Sequence, residues 1–174
     1  GMERAGREVP IITQVTMETT GTMLVGTEIA AALPALEALD VDVIGLNCAT
    51  GPDLMHEHVR YLGQNATRFV SVLPNAGLPR NVNGVATYDL TPEALADFQE
   101  RFIRDYGVSL VGGCCGTTPD HIAAVRKRLD SGAAEALARR TGGNPLNMML
   151  ALIQLLTTFE PQGPRRISEQ TLED

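Results

Sequence analysis

The sequence predicts an α/β fold made of consecutive βα units with parallel strands. Apolar, β-branched runs alternate with runs whose apolar residues recur at helical spacing, in units of roughly 25 to 40 residues. Each apolar run also ends in a polar or glycine-bearing loop, and in such folds ligands bind beyond the carboxyl ends of the strands. The pattern alone does not choose between an open doubly wound sheet and a closed (β/α)8 barrel.

The first two βα units are predicted between Val9 and about Gly63. A strand is predicted over Val9–Met17, and a helix capped by Thr27 is predicted to reach about Leu39, with Pro34 expected to kink or interrupt it. The second strand is predicted over Val43–Leu46, and its helix begins at Pro52 and reaches about Gly63.

Two further units follow. A strand over Arg68–Leu73 precedes a stretch rich in Pro, Asn and Gly, which predicts an irregular loop to Asp89. The next helix is predicted from a Thr91 cap to Tyr106, where Gly107 ends it. The last unit combines a strand over Val108–Val111 with a helix over Thr118–Leu129.

These four βα units are predicted to occupy residues 1–130. Residues 131–160 are predicted to add a helical segment, of which Asn144–Phe159 is strongly amphipathic, and residues 161–174 to form a flexible tail.

Composition narrows the function classes. The chain has 174 residues, 44% of them hydrophobic, which suits one globular domain. A net charge of -7 without a large basic cluster argues against nucleic-acid binding. No apolar run approaches the roughly 20 residues that span a bilayer, so we expect a cytoplasmic protein without a membrane partner.

All of the chain's cysteines lie in two loops of the same design. Cys114 and Cys115 follow an apolar strand and precede a helix, and Cys48 occupies the matching place after the second strand. An odd number of cysteines in such loops favours a metal site in a reducing compartment. Buried small hydrophobic side chains, a vicinal disulfide and a phosphate-binding glycine loop are the alternatives.

Four segments in the same order resemble one known family. The chain is similar to the homocysteine-binding domain of cobalamin-dependent methionine synthases, within the homocysteine S-methyltransferase family, over roughly Val9–Leu129. That span corresponds to the carboxyl-terminal half of the family's (β/α)8 barrel, so the resemblance implies a partial homocysteine-binding barrel over residues 1–130, about half of a (β/α)8 barrel. The segments are Val15–Met23, Gly45–Pro52, Pro74–Gly77 and Gly112–Pro119.

The resemblance implies a Zn²⁺ ion held by Cys48, Cys114 and Cys115, with a fourth position for the thiol of homocysteine. It implies methyl transfer to that thiol to give methionine, while cobalamin and methyltetrahydrofolate bind to modules outside this chain. Asn75 corresponds to a residue near the amino-acid end of the substrate, and Asn47 is expected to order the metal loop.

Three histidines are interpreted without a metal role. His56 and His58 are two residues apart on a helix and do not share a face, so both are expected to be solvated. His121 is expected to be structural or exposed.

The front half of the family's barrel has no counterpart in the sequence. The remaining half-barrel would expose edge strands, so we expect a homo-oligomer or a partner that supplies the missing half. A competing interpretation is a non-catalytic zinc-binding or assembly fragment of a split or truncated methionine synthase.

Overall fold

The computed structural model describes residues 10–129, in which strands and helices alternate along the chain. Four parallel strands form one sheet in the order β1-β2-β3-β6. The predictions for residues 131–174 lie outside the described residues. The strands are β1 Ile12–Val15, β2 Val43–Asn47, β3 Phe69–Leu73, β4 Arg80–Val82, β5 Val85–Thr87 and β6 Leu110–Val111, and the helices are α1 Ile29–Glu37, α2 Pro52–Asn65, α3 Pro92–Tyr106 and α4 Pro119–Arg128.

The two faces of the sheet differ because side chains alternate along each strand. Ile44 and Leu46 of β2 point to one face and are completely buried in the core that the helices cover. The other face carries Gln14, Gly45 and Ser71 in one register row. Gln14 Nε2 donates a hydrogen bond to Ser71 Oγ at 2.8 Å, so polar groups on this face satisfy each other across Gly45.

Helix α3 begins and ends as the sequence predicts. Thr91 Oγ1 accepts a hydrogen bond from the backbone N–H of Ala94 at 3.3 Å. Gly107 lies at φ +70°, where glycine pays no steric penalty, and its N–H donates to Ile103 O. Hydrogen bonds therefore define both ends of helix α3.

Helix α1 differs from the prediction in two ways. Its amino-terminal flanking residue is Glu28 rather than Thr27, and no side chain caps it. Pro34 lies inside the helix without interrupting it. Only one intrahelical N–H is lost at Pro34, and bonding resumes when Ala38 N–H donates to Pro34 O at 3.2 Å.

The predicted irregular loop before Asp89 is wrong in part, because it contains an antiparallel hairpin of β4 and β5. Asn83 and Gly84 form its turn with φ of +53° and +84°. An Asn-Gly pair between two valines is the usual sequence signal for such a turn. Arg80 and Asp89 form an ion pair at the open end of the hairpin.

Strand β6 is also shorter than predicted, because only Leu110 and Val111 pair with β3.

Within residues 10–129, no helix has the length and apolar composition needed to cross a membrane.

Candidate metal centre

The cysteine loops meet because the strands that carry them are neighbours. Cys48 directly follows β2, and Cys114 and Cys115 follow β6, while β3 lies between the two. Since the carboxyl ends of parallel strands lie at the same edge of a sheet, these loops and the loop after β3 converge there.

Backbone hydrogen bonds join each cysteine loop to the chain at the end of β3. The N–H of Cys48 donates to Leu73 O at 3.1 Å, and the N–H of Cys114 donates to Pro74 O at 2.8 Å. The third strand therefore holds the two cysteine loops from the middle.

The Asn75 side chain adds a further link to the same loops. It is 3% exposed, and its Oδ1 accepts a hydrogen bond from the backbone N–H of Cys115 at 3.1 Å. The N–H of Ala76 in turn donates to Cys115 O at 2.9 Å. Both backbone groups of Cys115 are thereby fixed by the segment after β3.

The structure brings the three predicted sulfur atoms together. The Sγ atoms of Cys48, Cys114 and Cys115 all lie within 4.8 Å of one another. Cys48 Sγ is 3.6 Å from Cys115 Sγ, and Cys114 Sγ is 4.0 Å from Cys115 Sγ. The thiols are free and reach the surface, so they do not serve as small hydrophobic side chains of the core.

These positions fit a tetrahedral zinc ion. Sulfur ligands at about 2.3 Å from Zn²⁺ lie about 3.8 Å from each other when the angles are tetrahedral. Two of the three sulfur separations, 3.6 and 4.0 Å, bracket that value. A set of three thiols is also the donor chemistry that Zn²⁺ prefers, and it leaves one coordination position open.

The backbone at Cys48 is strained. Cys48 and Ala49 are consecutive non-glycine residues at φ +60° and +56°, a left-handed conformation that such residues seldom adopt. The N–H of Thr50 donates to Cys48 O at 2.7 Å and closes the turn. Strain of this kind persists where the surrounding structure over-determines the conformation, and it is concentrated at functional sites.

The surroundings of Cys48 and Cys114 shift the pKa values of their thiols in opposite directions. Burial raises the pKa of Cys48, but hydrogen bonds from the backbone of Ala49 and from Cys114, Cys115 and Asn75 outweigh it, and the net pKa is lowered. Burial, followed by the bond to Cys48, raises the pKa of Cys114 to about 11. In the metal-free cluster, Cys48 is therefore the better thiolate of these two.

Sequence reasoning missed Tyr88, which follows the β4–β5 hairpin. Its ring lies against Gly116, where an added Cβ would be 2.2 Å from Tyr88 Cγ. Burial, and after it the neighbouring Cys115, raises the pKa of the Tyr88 phenol. The Asn-Gly turn was a signal for the hairpin, but the sequence holds no signal that places Tyr88 against the cysteine loop.

Asn47 makes its contact on the side of β1. Its Oδ1 accepts a hydrogen bond from Thr16 Oγ1 at 3.2 Å. This bond connects the residue before Cys48 to the loop after β1, and the expected ordering of the metal loop by Asn47 stays a prediction.

The histidines lie outside the cluster. His56 is not solvated as expected, because it is half-buried between helices and its Nε2 lies 2.9 Å from Tyr106 Oη. His58 is also half-buried, and burial lowers its pKa. His121 is buried and structural. Its Nδ1 accepts from the N–H of Thr118 at 3.1 Å, and its Nε2 donates to Leu90 O at 2.8 Å.

The fold and the cluster together define an α/β protein of consecutive βα units that carries three convergent thiols at the carboxyl ends of its strands. A family model described as homocysteine S-methyltransferase matches residues 2–129. The chain belongs to the homocysteine S-methyltransferase family.

Curated relatives agree with this assignment. The methionine synthases of Mycobacterium leprae (strain TN) and Mycobacterium tuberculosis (strain ATCC 25618 / H37Rv) are each 59% identical over 124 residues, which is 71% of this chain. The chain spans about a tenth of the length of these relatives, as the aligned part is 10% of each.

Solved structures share the fold. The apo form of the homocysteine methyltransferase MmuM from Escherichia coli superposes with a TM-score of 0.55 at 23% identity, over 73% of this chain and 42% of that one. The metallated form gives the same TM-score of 0.55 and covers 38% of its chain. The prediction of about half of a (β/α)8 barrel is confirmed.

Proposed function

We propose that this chain carries the homocysteine-binding part of a methionine synthase, in which Cys48, Cys114 and Cys115 hold Zn²⁺. The observation that carries the proposal is the approach of the three Sγ atoms within 4.8 Å of one another. Bound there, Zn²⁺ would supply a Lewis acid that keeps the homocysteine sulfur as a thiolate, the nucleophile that accepts the methyl group and yields methionine.

The chain's own residues would prepare this site before substrate arrives. The bonds from Cys48 N–H to Leu73 and from Cys114 N–H to Pro74 hold the cysteine loops on β3. The loops therefore need little rearrangement when a metal ion binds, which preserves affinity. The strained turn at Cys48 aims its sulfur at Cys115.

Two asparagines complete the proposed site. Asn75 fixes the Cys115 backbone through its Oδ1, and its side chain also helps to lower the pKa of the Cys48 thiol. Its amide lies at the cluster, where it could also meet the amino-acid end of homocysteine. Asn47 would support the Cys48 loop through its bond to Thr16.

The methyl donor would bind outside the described residues. The curated relatives are about ten times longer than the matched segment, which leaves room for the modules that bind cobalamin and methyltetrahydrofolate.

Within residues 10–129, β1 is an edge strand, and Ile12 on it is 42% exposed. We propose that a second copy or a partner segment covers this edge, and light scattering tests the former.

Metal content and substrate binding test the proposal together. We expect one zinc ion per purified chain by atomic emission, and binding of homocysteine by calorimetry that is lost when a chelator removes the zinc. Cys115→Ser should abolish tight zinc binding. His58→Gln, which removes another metal-competent side chain away from the cluster, is the matched control and should keep the zinc.

The outcomes separate the two interpretations of the chain. Zinc with homocysteine binding, followed by methionine formation when methylcobalamin is supplied in solution, supports the catalytic interpretation. Zinc without homocysteine binding supports the assembly fragment. Stoichiometric zinc in Cys115→Ser contradicts the ligand assignment.

A further inference from the structure

Gln99 is an unusual residue for its position on helix α3. It is completely buried on the face that packs against the sheet, where its neighbours along the helix include the buried Leu95 and Phe102. A polar amide in such surroundings is costly unless its hydrogen bonds are made. The contacts of Gln99 therefore indicate what the residue does.

The side-chain nitrogen of Gln99 serves the carboxyl ends of two strands. Its Nε2 donates to Gly112 O at 2.8 Å and, over a longer distance, to Val72 O at 3.4 Å. Two carbonyl acceptors require the NH₂ group, which fixes the orientation of the amide. Its Oε1 is buried and has no hydrogen-bond partner among the described residues.

The carbonyl groups of Gly112 and Val72 belong to two different segments that meet at Cys114. Gly112 is two residues before Cys114 on the segment leaving β6. Val72 is two residues before Pro74, whose carbonyl accepts the N–H of Cys114 at 2.8 Å. One amide group thus joins the segment that carries the cysteines to the segment that holds them.

Packing alone does not explain this residue. An apolar side chain of similar length would fill the same space without the unpaired Oε1, but it would lose the hydrogen bonds to Gly112 O and Val72 O. The buried amide is an advantage over an apolar side chain only if its hydrogen bonds to Gly112 O and Val72 O are needed. We propose that Gln99 is a positioning residue that sets Cys114 and Cys115 opposite Cys48.

The consequence for zinc depends on the function proposed above, whereas the consequence for the spacing of the sulfurs does not. The test therefore uses two measurements on each variant. Zinc affinity is measured by competition with a chromogenic chelator. In the metal-free protein, diamide takes two electrons and two protons from a thiol pair, so a disulfide forms and diamide becomes a hydrazine. Peptide mass mapping separates the Cys48–Cys115 disulfide from a disulfide with Cys114, and the initial rate at which the Cys48–Cys115 disulfide appears reports how closely these two Sγ atoms approach, now 3.6 Å.

Gln99→Met keeps the length of the side chain and removes both donors. We expect zinc affinity to fall about tenfold or more, as is typical when a group that supports a metal ligand is lost. We expect the disulfide between Cys48 and Cys115 to form severalfold more slowly. Phe102→Leu, one turn along the same buried face, is the control for lost stability and should change neither measurement.

The outcomes are distinct. A slower disulfide in Gln99→Met than in Phe102→Leu supports the positioning role even if no variant binds zinc, in which case only the proposed function fails. Equal rates and equal zinc affinities in the two variants overturn the inference.

A second measurement applies if Gln99→Met does not fold. In the wild-type protein, the side-chain amide resonances of Gln99 are followed by NMR before and after diamide oxidation. We expect them to move, because closing the Cys48–Cys115 bond pulls on the loop that Gln99 holds. Unchanged resonances would overturn the inference.

Discussion

Asn75 and Cys115 are 40 residues apart in the sequence, yet Asn75 Oδ1 accepts the backbone N–H of Cys115 at 3.1 Å. The bond forms because β3 and β6 are adjacent parallel strands, and each residue lies just past the end of its strand. A buried amide on one loop thereby sets the position of a metal-competent thiol on another.

Replacing Asn75 with alanine tests the strength of this link. Asn75→Ala removes the acceptor of the Cys115 N–H, so the free energy of unfolding should fall by about 0.5–1.5 kcal/mol, the usual net contribution of a hydrogen bond. Urea denaturation measures it. Asn65→Ala, which removes an exposed bond to Tyr61 O, is the control and should change stability little. Equal losses in both variants would contradict the prediction.

The sequence predicted the strand-helix order and the meeting of the cysteines, because both follow from local patterns. Glycines and Pro52 mark the loop ends, and parallel strands bring Cys48 and Cys115 to one edge. It did not predict Gln99 or Tyr88, since their roles come from contacts between distant segments. In the sequence, Gln99 is one of several polar residues in the helix predicted from Thr91 to Tyr106, and Tyr88 lies in a stretch interpreted as irregular.

The contact between Gly116 and Tyr88 gives a second prediction. Gly116→Ala would place a Cβ 2.2 Å from Tyr88 Cγ at a residue with φ +77°. The ring must move, and we expect lower thermal stability together with faster alkylation of Cys115 by iodoacetamide. Calorimetry and mass spectrometry measure these two effects.

Another glycine separates the clash from backbone strain. Gly26 lies at φ +88° with no atom within 4 Å of an added Cβ. Gly26→Ala should therefore lose only the backbone term of about 1 kcal/mol. The double variant Gly116→Ala with Tyr88→Ala should recover part of the loss. If Gly26→Ala is as unstable as Gly116→Ala, the ring contact is unimportant.

Glu37 predicts how stability depends on pH. The backbone N–H of Thr67 donates a hydrogen bond to Glu37 Oε1 at 2.7 Å, and the Thr67 hydroxyl donates to the same oxygen at 2.8 Å. These bonds lower the pKa of the Glu37 carboxyl group. A lowered pKa in the folded state contributes stability above the unfolded value of about 4.3, and this is lost as pH falls through the folded value.

Glu37→Gln should therefore destabilise the protein at pH 7 and have less effect at pH 3. Urea midpoints of both proteins across this range measure the difference. In a Thr67→Val background, which keeps the backbone donor but removes the hydroxyl, the effect of Glu37→Gln at pH 7 should shrink. A difference between wild type and variant that does not change with pH would contradict the prediction.

The left-handed turn at Ala49 gives the last prediction. Ala49→Gly removes a steric cost of about 1 kcal/mol at φ +56°, but the glycine adds a similar amount of unfolded-state entropy. We expect stability to change little, while zinc affinity falls about fivefold because the residue after Cys48 gains freedom that metal binding must remove. Asn83→Gly makes the same exchange at φ +53° in the hairpin turn and should leave zinc affinity unchanged. Unaltered affinity in Ala49→Gly would mean that the bonds from Cys48 N–H to Leu73 O and from Thr50 N–H to Cys48 O hold the loop by themselves, and that the strain has no part in aiming the thiol.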